Sequence, residues 1–266
     1  YTDQLEIVSN AVPEDTISYT VTGQGGVPDV TVVTATLDAG SVYALESNDV
    51  WARFTNSGGF PLSVGTSSSF AGQTSDYSVE TTLPVIIQPS GTDSIMIRFT
   101  PTMANTILDT LTLGTNDPDE QTVSVALTGY GLMAVISLGD TLTVPTIHSD
   151  EDTVGLLNVI NTGNGDLTIS SIVSNSAFFT APVQAFLDTF VVEGGTSGQV
   201  PIGFEPTTVG DYEGLLSLTC SDPYNATQEV TIQATAVSPT IVFIPLDSPD
   251  IQGGIDLAEE GDTVMV

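Results

Sequence analysis

The segment Phe54-Thr55-Asn56-Ser57-Gly58 returns 105 residues downstream as Val159-Ile160-Asn161-Thr162-Gly163, and the match continues almost without gaps. Ile95, Ile97 and Phe99 fall on Val200, Ile202 and Phe204, and Pro101 falls on Pro206. Leu111 and Leu113 fall on Leu216 and Leu218, the turn Asp117-Pro118 on Asp222-Pro223, and Val125 and Leu127 on Val230 and Ile232. A chain that repeats its apolar positions at this period repeats its packing, so each copy is expected to fold around its own core. Inside each copy the apolar residues alternate with polar ones, which is the period-2 pattern of strands with one buried face.

Gly, Pro, Asn and Asp turns separate about seven strands per copy, with no helical periodicity between them. In the first copy they lie near residues 31–36, 50–55, 60–64, 83–88, 93–100, 107–113 and 122–129, and they are filled with Thr, Val and Ile, residues that suit a pleated, half-buried surface. The fold class is therefore all-β, with tandem immunoglobulin-like β-sandwiches. Leu5 to Asn10 and Ile17 to Gly25 repeat the pattern of Leu111 to Gly131 at an offset of 106, and are read as the last hairpin of a preceding sandwich. The expected division is 1–25 for that hairpin, 26–131 and 132–238 for the two sandwiches, and 239–266 for a linker and a new element.

The residues Asn56-Ser57-Gly58, Ile97-Arg98-Phe99-Thr100-Pro101, Thr115-Asn116-Asp117-Pro118 and Leu127-Thr128-Gly129 together resemble the hydin-type, or ASH, immunoglobulin-like domain, a relative of the major sperm protein fold. The second copy carries the same resemblance in Asn161-Thr162-Gly163-Asn164-Gly165, Ile202-Gly203-Phe204-Glu205-Pro206 and Ser221-Asp222-Pro223. The resemblance implies tandem, non-catalytic modules of large bacterial secreted or surface-anchored proteins, with eukaryotic relatives in cilia and centrosomes. In the tail, Ser248-Pro249-Asp250 is read as a helix start and Gly261 as its stop, with a strand after it; Ile251, Ile255 and Ala258 share one side. This helix and strand resemble the N-terminal cap of right-handed parallel β-helix proteins of the pectate-lyase-like type. That implies a stalk leading into a β-helix, or accessory domains of a polysaccharide-degrading enzyme.

Charge narrows the function. Asp and Glu number 33 against two arginines and no lysine, giving a net charge of −31. Nucleic acid and anionic membranes are recognised through Lys/Arg clusters, so both are excluded as partners, and no apolar run is long enough to insert in a membrane. The single cysteine, Cys220, forms no internal disulfide and is read from its alternating strand as a small buried hydrophobe. The single histidine, His148, is read as an exposed loop residue beside Ser149-Asp150-Glu151-Asp152; nothing beside it completes a catalytic triad. The chain is read as non-enzymatic and as carrying no cofactor.

Two acidic loops offer the hard oxygen ligands that calcium takes: Asp117, Asp119 and Glu120 in one, Asp150 and Asp152 in the other. Neither has the EF-hand spacing, and the plainer reading of each is a solvated acidic turn. In Val50-Trp51-Ala52-Arg53-Phe54, alternation puts Trp51 and Arg53 on the face opposite Val50, Ala52 and Phe54. The pair is a candidate contact for a carbohydrate or a protein, the plainer reading being that Trp51 covers a sheet edge. The expectation is a structural or adhesive module of a bacterial extracellular or cell-surface protein, acting as a stalk or self-associating into a fibre or matrix. Self-repulsion at this charge predicts that raising NaCl from low to physiological concentration lifts the melting temperature by roughly 5 °C; an unchanged value would contradict the charge argument.

Overall fold

The structure is a computed structural model describing residues 1–10, 12, 16–23, 25–72, 75–239, 241–244, 246–258 and 262–266. Residues 1–42 with 46–131 form one compact unit, and residues 132–266 with 43–45 form another. As the alternation dictates, both are built almost entirely of strands.

The first unit opens with an antiparallel hairpin of β1 (Thr2–Val8) and β2 (Thr16–Thr22), every residue of which is exposed. A sandwich follows. One sheet has the order β3 (Val30–Val32), β5 (Asn48–Asn56), β9 (Thr92–Phe99), β7 (Tyr77–Val79); the other has β4 (Thr36–Tyr43), β11 (Thr122–Leu132), β10 (Thr106–Thr115), β6 (Leu62–Phe70), β8 (Val85–Ile87). Ala52, Phe54, Ile95, Ile97 and Phe99 from the first sheet meet Leu62, Val64, Leu111, Leu113 and Val125 from the second, all fully buried or nearly so. At ~25 cal/mol per Å² of apolar surface, each such side chain contributes about 1.5–3 kcal/mol to holding the layers together.

The second unit repeats the design. Its sheets run β12 (Ile136–Ser137), β15 (Thr153–Asn161), β19 (Ser197–Phe204), β17 (Phe179–Thr180) and β13 (Thr141–Thr143), β21 (Thr227–Val237), β20 (Gly210–Cys220), β16 (Leu167–Ser174), β18 (Val191–Val192), with β14 (Ile147–His148) also paired to β21. Where the first sandwich has the continuous β4, the second has β13 and β14, separated by a stretch containing Pro145, which cannot donate a ladder hydrogen bond. One correction to the helix-free reading is needed: a short helix, α1 (Gln184–Leu187), buries Leu187 in this core.

The tail forms a small parallel pair of β22 (Ile241–Phe243) and β23 (Thr263–Met265), joined through the helix α2 (Ile251–Leu257). Its cap differs from expectation. Asp250, not Ser248, is the N-cap, accepting from the Gly253 amide at 2.8 Å, so Pro249 stands outside the helix. Ser248 is instead buried, its hydroxyl donating to the Asp250 carbonyl. Gly254 is the buried residue of α2: a Cβ there would overlap Ile244, while Ile251 and Ile255 remain exposed. The predicted stop at Gly261 lies outside the described residues.

What pins each sandwich is polar. Asn56, wholly buried at the end of β5, donates to the Phe60 carbonyl at 2.7 Å and the Ile87 carbonyl at 2.9 Å, and accepts from the Asp29 amide at 3.3 Å and the Gly58 amide at 3.0 Å. Asn161 repeats the set, donating to Gly165 and Val192 at 2.7 and 2.9 Å and accepting from Val135 and Gly163 at 3.1 and 3.0 Å. Two residues on, only glycine fits: a Cβ on Gly58 would overlap the main chain at Val27, and one on Gly163 the main chain at Met133. Asn56→Ala leaves four main-chain groups without this partner and is expected to destabilise the first sandwich by about 4 kcal/mol, with the transition of the second unchanged. Chemical denaturation checks this, and a loss below ~1 kcal/mol would contradict it.

Candidate functional site

The acidic loop between β10 and β11 is organised around Asp117. The turn that its Asp-Pro sequence builds brings this carboxylate inward rather than into solvent, where it is buried. Its Oδ2 accepts from the Val30 amide of β3 at 2.7 Å, and its Oδ1 from the amides of Asp119 and Glu120 at 3.0 and 3.4 Å. The carboxylate thereby ties a turn of one sheet to the first strand of the other. Burial pushes its pKa up, but the hydrogen bonds from Val30, Asp119 and Glu120 outweigh that and hold it below the ordinary aspartate range. The interaction with Asp117 raises Glu120 in turn, helped by burial and the charges of Asp117, Asp29 and Asp119.

A third acid arrives from 88 positions earlier. Carboxylate oxygens of Asp29, Asp117 and Glu120 lie within 4.8 Å of one another, a grouping of the kind that takes a cation. The sequence reading placed Asp119 in this set; the structure substitutes Asp29, because β3 runs beside the loop. Asp150 and Asp152 are exposed, and among the described residues they join no such group. Asp222, the repeat of Asp117, is likewise buried and accepts from the amides of Ile136, Tyr224 and Asn225 at 3.0, 2.9 and 3.0 Å. The positions matching Asp29 and Glu120 are Val135 and Asn225, so the staple repeats while the acidic trio does not.

Trp51 and Arg53 both stand on the outer face of β5, with Val50, Ala52 and Phe54 turned inward. Within the sheet, β9 pairs with β5 along Asn48–Thr55 whereas β3 pairs with it only at Phe54, Thr55 and Asn56, so Trp51 lies outside the β3 pairing. Trp51 is opposite Met96 and is 54% exposed. Asp49 and Arg98 form the neighbouring cross-strand pair, bidentate at 2.8 and 2.9 Å, with Glu80 adding a contact to Arg98 at 3.3 Å.

His148 is a further correction. It is 6% exposed, because Ile147-His148 joins β21 in parallel against Ala236-Val237 and enters the sheet instead of the loop. Its Nε2 lies 3.5 Å from Oδ1 of Asp262, its Nδ1 3.9 Å from Oε2 of Glu151, and Nδ1 makes no hydrogen bond. Among the described residues its ion-pair contacts are these two carboxylates, and the one to Asp262 ties the tail to β14. Cys220 is buried in the second core, and burial raises its thiol pKa, the environment of an inert side chain.

Residues 134–235, the second sandwich, match the domain family described as HYDIN/CFA65/VesB-like, Ig-like domain. No curated protein sequence matches the chain. Among solved structures, a Porphyromonas gingivalis protein of unknown function is 17% identical, with 77% of this chain and 99% of that one covered, at a TM-score of 0.33. The ASH/PapD-like domain 7 of human CEP192 is 11% identical, with 45% and 97% covered, at 0.34. The secreted serine protease VesC of Vibrio cholerae is 14% identical, with 67% of this chain and 47% of that one covered, at 0.32.

The lowered pKa of Asp117 carries a prediction for acid stability. A carboxyl held below its unfolded value of ~3.9 stabilises the fold fully above that pH and loses the contribution as pH falls through the folded value. Asp117→Asn is therefore expected to cost about 2 kcal/mol at pH 7, and its deficit relative to the native chain should shrink below about pH 4. Denaturation midpoints between neutral and acid pH check this; a deficit independent of pH would contradict the ionised staple.

Proposed function

We propose that this chain is a non-catalytic structural module of an extracellular multidomain protein, in which successive sandwiches act as a stalk that spaces or presents other parts of the molecule. The observation that carries the reading is the repetition of one complete polar frame. Asn56 and Asp117 in the first sandwich, and Asn161 and Asp222 in the second, are all buried and direct their hydrogen bonds to main chain. Polar groups committed in this way hold a shape and are poorly placed to turn over a substrate. The family match of the second sandwich supports a structural or binding module of Ig-like type. The β-helix cap read from the tail belongs to the same proposal, with α2 and its exposed Ile251 and Ile255 as the element that further coils would cover.

A second reading, self-association into a fibre, is favoured by the hairpin. Leu5, Ile7, Ile17 and Tyr19 pair in the register of Leu111, Leu113, Val123 and Val125, yet the first four are exposed and the last four are core. Size-exclusion chromatography with light scattering, run in EDTA and then in calcium, separates the two readings. The stalk predicts the mass of a single chain in both; calcium-dependent or concentration-dependent multimers would replace it with an assembling fibre bridged at its acidic faces.

A further inference from the structure

Both cations of this chain stand on one side of one sheet. Arg53 and Arg98 lie on the outer face of β5 and β9, on either side of the cross-strand pair formed by Trp51 and Met96. The two arginines are not equivalent. Arg98 is held by both oxygens of Asp49 and by Glu80, which fixes the Asp49 end of the patch. Among the described residues, the Arg53 guanidinium has no ion pair and no hydrogen bond, and the Trp51 indole has neither a ring contact nor a hydrogen bond. In a chain with 33 acidic residues, the arginine left free beside the one tryptophan is, among the described residues, the place on this surface where an anion meets an uncommitted guanidinium.

We propose that this face binds a carboxylate-bearing sugar, a uronate unit of an anionic polysaccharide. The pyranose ring would lie on the indole with its C–H face, and its carboxylate would pair with the Arg53 guanidinium in the bidentate geometry that a planar fork favours. Shape selects a ring over an acidic peptide. Peptides add to sheets along strand edges through main-chain hydrogen bonds, whereas Trp51, Met96 and Arg53 stand on the outer face of the sheet and present side chains there. Charge complementarity selects an anion, since the flat apolar step at Trp51 and Met96 is bordered on one side by Arg53 and on the other by an Asp49–Arg98 pair already satisfied. The assignment goes beyond the stalk reading and stands or falls separately from it.

Trp51 is the sole tryptophan, so its fluorescence reports on this face directly. The whole chain at physiological salt is titrated with a β-1,4-linked tetramer of glucuronate, with the corresponding glucose tetramer, and with a tetraglutamate peptide. The expected result is saturable quenching by the glucuronate tetramer, about tenfold weaker binding of the glucose tetramer, and little response to the peptide. Arg53→Gln should remove that tenfold preference while leaving weak stacking, and Trp51→Ala, followed by calorimetry, should abolish binding. Both side chains are exposed, and unchanged melting temperatures would show that the variants fold. Absence of quenching at ~10 mM glucuronate tetramer, equal binding of the charged and neutral tetramers, or indifference to Arg53→Gln would each overturn the proposal. Tighter binding of tetraglutamate would overturn it in favour of a peptide partner.

Discussion

Each sandwich closes around an asparagine side chain whose two donors and two acceptor positions are all taken by main chain. No other residue of this length can do the same: aspartate cannot donate, and leucine would leave four buried peptide groups unpartnered. The partners come from both layers. Asn56 stands on β5 of one sheet and holds the Ile87 carbonyl of β8 in the other, and Asn161 relates β15 to Val192 of β18 in the same way. The glycine two residues on lets the preceding main chain approach closely enough to donate, which explains why Asn and Gly recur together at this spacing. Asp117 and Asp222 do the corresponding task for the long hairpin turn, tying it to the first strand of the opposite sheet. With these ties in place the apolar layers can only pack in one register.

The hairpin β1–β2 shows what the same strands look like without that frame. Its pairing of Leu5 with Tyr19 and Ile7 with Ile17 reproduces the pairing of Leu111 with Val125 and Leu113 with Val123, and Leu216 with Val230 in the third instance. The register is set by the two strands and their turn, so it forms in all three places. Burial is set by the opposing layer, and only the latter two have one.

Strand positions were legible in the sequence because alternation reports directly on which face is buried, as Trp51 and Arg53 outside and Ala52 and Phe54 inside illustrate. Asn56 and Asp117 were visible only as repeated turn residues. Alternation treats polar residues as outward, and nothing local reveals that main-chain groups converge on them from as far away as Val30. For the same reason Asp29 was missed as a neighbour of Asp117, and His148 was read as exposed: both placements depend on strands paired across most of a domain. At the tail the helix was legible from its spacing. Its cap was displaced by two residues because Ser248 and Asp250 are both good caps, and the buried hydroxyl of Ser248 is engaged with the Asp250 carbonyl.

The acidic surface sits on a frame that does not depend on it. Carboxylates at Asp117 and Asp222 are internal and neutralised by amide donors, whereas most of the remaining acids face water and repel one another. The account therefore rests on the asparagine frame, and amide hydrogen exchange at Gly58 and Gly163 tests it most directly. Both amides belong to loops and donate to a buried asparagine oxygen at 3.0 Å. The account predicts that they exchange as slowly as the central strands β9 and β19, through global unfolding of their sandwich alone. Exchange at the rate of the exposed turns would contradict it.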